Sequence, residues 1–129
     1  MTIINTKDPK VWGYLYHWFI PYDQDRLLIG AELYQRLTET PDDTYVSIIV
    51  EDDAVIGVLI GYIINETDAL IWQARAKPSF KQSRQILDGF IDWAKEKGMK
   101  RIVAFSDRAR SLSRRYGFTS SGNLLTKEI

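Results

Sequence analysis

The hydrophobic pattern of residues 45–105 changes period twice, and few folds accommodate that. From Tyr45 the period is two, in "YVSIIVE" and "VIGVLIGYII", runs rich in Val, Ile and Tyr joined by Asp52, Asp53 and Ala54. This predicts an antiparallel hairpin. "ALIWQARA", after the turn-like Asn65 to Asp68, predicts a third strand. From Ser83 the period becomes helical: Ile86, Leu87, Phe90, Ile91 and Ala94 share one face, and Asp88, Asp92, Lys95 and Glu96 the other. Gly98 supplies the helix stop. "RIVAF" then reads as a fourth strand, apolar enough to be buried on both faces. Strand three, the helix and strand four therefore form a parallel crossover, right-handed by the general rule.

The flanks complete a mixed α/β sandwich, with α and β elements in the order helix, helix, three strands, helix, strand, helix, strand. "PKVWGYLYHWF" is opened by Asp8 as N-cap with Pro9 at the first helical position, and "DQDRLLIGAELYQRL" repeats Leu27, Ala31, Tyr34 and Leu37 at helical spacing. After "RIVAF", Ser106 or Asp107 caps the short helix "RARSLSRRYG", and "NLLTKEI" is the last strand. The 129 residues hold no repeat or linker, so one domain spanning 1–129 is expected.

Composition removes several classes of function. Lys and Arg number 17 and Asp and Glu number 17, which argues against a dominant nucleic-acid or anionic-membrane partner. The absence of cysteine excludes a disulfide scaffold, thiolate metal ligation and a Cys nucleophile. The longest apolar run, Ala54 to Ile64, is broken by Gly57 and Gly61 and is about half of what a membrane helix needs. No signal peptide is visible, and a cytoplasmic protein is expected. No nucleophile, metal or triad constellation is present.

Three stretches carry a resemblance to the GNAT superfamily of N-acetyltransferases: "ARAKPSFKQSRQILDGFIDWAKEKG", "RIVAFSD" and above all "SDRARSLSRRYGF", whose Ala109, Leu112, Arg115, Gly117 and Phe118 stand at the family's offsets. The resemblance covers nearly the whole chain. It implies a GNAT-like fold: a central mixed, mostly antiparallel sheet with helices on both faces and a splayed parallel strand pair. It also implies acetyl-CoA as co-substrate, held between the strands "ALIWQARA" and "RIVAF", with its pyrophosphate on N–H groups at the start of the long helix. The family's loop pattern, Gln or Arg, two residues, Gly, one residue, then Gly or Ala, falls on Lys81, Arg84 and Ile86. Both small residues are replaced by large ones. The implied cofactor-binding set is the backbone of Arg75, Ala76 and Lys77, for polarising the thioester carbonyl, with Lys81, Gln82, Ser83, Arg84, Gln85 and Ser106. A side chain at Arg84 either obstructs the diphosphate or binds it directly, since Lys77, Lys81 and Arg84 cluster where two negative charges would lie.

The family's CoA-contacting Asn and thiolate-protonating Tyr correspond to Ser106 and Ser113. A serine hydroxyl is a poor acid beside a phenol, and Tyr116, nearly one turn on, approaches the same region. Ser113 and Tyr116 are the catalytic candidates. "VWGYLYHWFIPY" holds six aromatics in twelve residues. In the family this region roofs the acceptor site, which makes Trp18 and Tyr22 the substrate-contacting candidates. His17, the one histidine, reads as part of the aromatic surface. Glu51, Asp52, Asp53, Glu66 and Asp68 fall in turns or at strand ends, and no base is singled out. The implied activity is transfer of acetyl from acetyl-CoA to a primary amine on a small molecule or protein. The alternative is a catalytically silent GNAT-like binding or assembly module, of the kind seen in phage and mobile elements, with a protein partner or a homodimer.

Overall fold

The computed structural model describes residues 1–13, 15, 26–77, 82–106 and 109–129, with backbone alone at 26, 27 and 109–112. Strands are β1 (Thr2–Asn5), β2 (Thr44–Glu51), β3 (Ala54–Ile63), β4 (Asp68–Ala76), β5 (Arg101–Phe105), β6 (Thr119–Ser121) and β7 (Leu124–Glu128). Helices are α1 (Arg26–Glu39), α2 (Ser83–Glu96) and α3 (Ala109–Tyr116). The strands form one sheet in the order β1-β2-β3-β4-β5-β7-β6, antiparallel throughout except for β4 and β5. This is the GNAT-like mixed architecture that the resemblance implies.

Each face of the sheet carries a separate core. On one, Ile86, Leu87, Phe90, Ile91 and Ala94 of α2 pack on Tyr45, Ile49, Leu59, Ala69, Ile102 and Ala104. On the other, Val11, Leu15, Leu33 and Leu37 pack on Val46, Ile48, Val58 and Ile60. The helical stripe expected for α2 is the one buried. That of α1 is turned: Ile29, Leu33 and Leu37 are buried, whereas Ala31 and Tyr34 are exposed. Gly30 explains the turn, because the Trp12 indole lies against it where any Cβ would collide.

Local signals act as expected at several boundaries. Asp8 caps Pro9–Val11, accepting from the Lys10 N–H at 2.9 Å, although these three residues form a 3-10 turn. Asp52 and Asp53 both have positive φ, 51° and 61°, as a tight two-residue hairpin turn requires, and Ala54 already belongs to β3. Gly98 ends the α2 region at φ 81°. Two strands were not expected from sequence: β1, paired with β2, and β6, paired with β7 around Gly122.

Candidate active site

The sheet opens at one place. β4 pairs with β5 only from Asp68 and Arg101 to Ile71 and Ala104, whereas its pairing with β3 runs on to Ala76. The next residue of β5, Phe105, pairs with Leu124 of β7. Where the two strands part, β4 carries a bulge: Ile60 pairs with Gln73 and Gly61 with Ile71, leaving Trp72 as the extra residue. A bulge increases local twist and bends the strand that carries it, which is the physical origin of the fork.

The fork also has a chemical polarity. The Lys77 N–H donates to the Ile56 carbonyl at 2.9 Å, so Lys77 forms a hydrogen-bonded pair on the β3 side. Antiparallel pairs alternate. Arg75 therefore also faces β3, and the N–H groups of Ala74 and Ala76 point into the fork. Both alanines are exposed. Of the three residues expected to offer a donor to a carbonyl, Ala76 is the one so aimed.

The closed end is pinned by charge. Asp68, 7% exposed at its side chain, takes both arms of the Arg101 guanidinium: Nε to Oδ1 and Nη2 to Oδ2, each at 2.9 Å. Asn65 Nδ2 adds a third bond at 2.9 Å and Thr67 Oγ1 a fourth at 3.2 Å. The bonds from Arg101, then Asn65, lower the Asp68 pKa to about 2. Asp68 is thus a structural acid at the end opposite the fork. Glu51, Asp52 and Asp53 lie at the fork end of the hairpin.

The first turn of α2 stands beside the fork. Gln82, its N-cap, makes no side-chain cap bond, and among the described residues the first helical amide to find a carbonyl is that of Ile86, donating to Gln82 O at 3.3 Å. The N–H groups of Ser83, Arg84 and Gln85 are therefore the helix's outward donors, at the positive end of its dipole and with no acidic residue in the first turn. Neither large residue fills this position. Ile86 is buried in the core at 5% exposure. Arg84 turns sideways and donates through Nη2 to the Arg115 carbonyl at 2.9 Å.

Several candidates from sequence converge here. Ser83 Oγ and Tyr116 Oη lie 2.6 Å apart, and Arg84 and Arg115 each stand 5.8 Å from the Tyr116 ring centroid. Lys127 Nζ donates to the Tyr116 carbonyl at 3.0 Å. Ser106 is half-buried just past β5, its N–H donating to Asn123 O at 2.9 Å. Ser113 is half-buried on α3, its carbonyl accepting from Gly117 N–H at 2.9 Å. Gln85 and Lys77 are exposed, and Arg75 is half-buried. Lys81, Trp18, Tyr22 and His17 lie outside the described residues.

Two aromatic residues at the fork escaped the sequence reading. Trp72 packs on the α1 side of the sheet. Phe105, one residue beyond Ala104 and so on that same side, is 70% exposed. They are the first residues past the last β4–β5 pair, one on each strand. The signal for Trp72 is a slip in alternation: Ala69, Ile71 and Ala74 share the α2 side, so the spacing goes from two to three across the bulge.

Known proteins share this architecture. A coenzyme A complex of the PaiA N-acetyltransferase of Thermoplasma acidophilum aligns at a TM-score of 0.69 and 16% identity, over all of both chains. A GNAT acetyltransferase of Elizabethkingia anophelis, solved with acetyl-CoA, aligns at 0.70 and 19% identity, over 99% of this chain and 97% of that one. The GNAT acetyltransferase of Streptococcus pneumoniae aligns at 0.74 and 14%, over 99% of this chain and 100% of that one. No curated protein matches the chain significantly. At such identities the likeness shows the fold, and the sequence shows the family: the acetyltransferase (GNAT) family profile matches residues 12–118, so the chain belongs to that family.

Proposed function

We propose that the protein transfers acetyl from acetyl-CoA to a primary amine, with the pantetheine arm in the β4–β5 fork and the diphosphate on the first turn of α2. The observation that carries this is the coincidence of an open fork, an inward N–H on Ala76, and a helix N-terminus from which the Arg84 and Ile86 side chains both turn away. Solved family members with coenzyme A or acetyl-CoA support the choice of co-substrate. Ala74 and Ala76 are small, so a ligand approaches their backbone closely.

In this reading the amine nitrogen attacks the thioester carbonyl carbon, and negative charge gathers on the oxygen beside the Ala76 N–H. The C–N bond forms, the C–S bond breaks, and sulfur leaves with the electron pair as thiolate. The surplus amine proton passes to solvent. Ser113 and Tyr116 on α3 stay proposed as the proton source for the thiolate; Tyr116 Oη is shared with Ser83, which orients it. The acceptor approaches from the α1 side between Trp72 and Phe105.

Ala76→Pro removes the inward N–H without touching the Lys77 ladder bond. Thiol release from acetyl-CoA, followed across a panel of primary amines, should fall about 100-fold in kcat with affinity for acetyl-CoA nearly unchanged. Wild-type protein that binds no acetyl-CoA and releases no thiol with any amine would instead make the domain a silent module.

A further inference from the structure

We propose that Arg84 is a positioning residue: from the place where the family pattern has a glycine, it braces the last turn of α3 against the first turn of α2. This deepens the reading of the fork as the acetyl-CoA site, and it rests on contacts rather than on that reading.

The last turn of a helix exposes carbonyls that no amide within the helix satisfies. In α3 two of these are taken by cations from other elements: Arg84 Nη2 on Arg115 O at 2.9 Å, and Lys127 Nζ on Tyr116 O at 3.0 Å. Both cations meet the negative end of the helix dipole. Ser83 Oγ and Tyr116 Oη add a hydroxyl pair at 2.6 Å in the same place. Residues 83 and 84 of α2 and residue 127 of β7 thus grip two carbonyls and a hydroxyl of one turn. α3 has only eight residues. A helix that short is marginal alone and depends on such contacts for its position.

The arrangement explains a cation in the first turn of α2, where the dipole disfavours it. The Arg84 guanidinium is oriented across to the Arg115 carbonyl, while its own N–H stays among the donors of the first turn. It acts on the ligand through α3, which follows β5 and Ser106 in the chain and packs on β6 and β7. A glycine at 84 would leave the α2 donors open but would remove one grip on α3.

The test separates bracing from direct phosphate contact. Amide exchange followed by mass spectrometry on ligand-free Arg84→Ala should show residues 113–117 exchanging about five- to tenfold faster, the scale of one lost hydrogen bond at an exposed site. The core of α2, residues 86–94, should be unchanged. Arg84→Lys should restore most of the protection, since an ammonium also donates to Arg115 O. In titrations, Arg84→Ala should weaken acetyl-CoA and S-acetyl-pantetheine, which has no diphosphate, by the same factor. Unchanged exchange at 113–117, or affinity lost for acetyl-CoA alone, would overturn the proposal. If wild type binds neither thioester, the exchange arm still decides the brace, and only the acetyl-CoA reading fails.

Discussion

At the scale of single residues, a side chain's neighbours decide its role more than its type does. Asp68 illustrates this: its turn-like context suggests a solvated acid, yet two bonds from Arg101 bury it. No local pattern reveals a partner 33 positions away. Its folded pKa, about 2, lies below the ordinary 3.8. The sign follows: the unfolded chain binds the proton more tightly, so the stabilisation is complete above about pH 4 and is lost as pH falls towards 2. Asp68→Asn should cost about 1 to 2 kcal/mol at pH 7, less than breaking a fully buried pair because Arg101 is partly exposed. Urea unfolding at pH 7 and at pH 2.5 checks this, and the difference between variant and wild type should shrink at the lower pH. Arg84 is the converse case: its sequence position pointed to phosphate, and its guanidinium went to a carbonyl.

At the scale of elements, periodicity revealed most of the structure, because each strand and helix buries one regular face. The boundaries of "RIVAF" and the stripe of α2 were both legible for this reason. β1 and β6, of four and three residues, are too short to establish a period. The bulge at Trp72 was hidden because one extra residue inside an apolar strand looks like more strand. Packing between elements adds a constraint that periodicity lacks. A Cβ at Gly61 of β3 would meet the Phe90 ring at 2.5 Å and the Leu70 carbonyl at 2.6 Å. The glycine lets α2 settle on the sheet beside the fork. Gly61→Ala should therefore destabilise by about 1 to 3 kcal/mol, as overpacking does. A thermal melt showing no loss would mean that Phe90 moves aside freely.

At the scale of the molecule, the sheet is a hinge with one end fastened and the other held open. The Asp68–Arg101 pair ties β4 to β5 at the closed end, and the bulge bends β4 away beyond Ile71. The crossover through α2 then brings a helix N-terminus to the open end. That arrangement was legible from the order of elements and the Gly-Phe ending. The inward direction of the Ala76 N–H was not, since it depends on register. No helix among the described residues is long and apolar enough to cross a membrane. Whether the fork and the first turn of α2 together hold acetyl-CoA is decided by titrating acetyl-CoA into isotope-labelled protein and following backbone amide resonances. Saturable shifts centred on Ala74, Ala76, Ser83, Arg84, Gln85 and Ser106 are expected. An unchanged spectrum, or shifts confined to residues away from the fork, would contradict that placement.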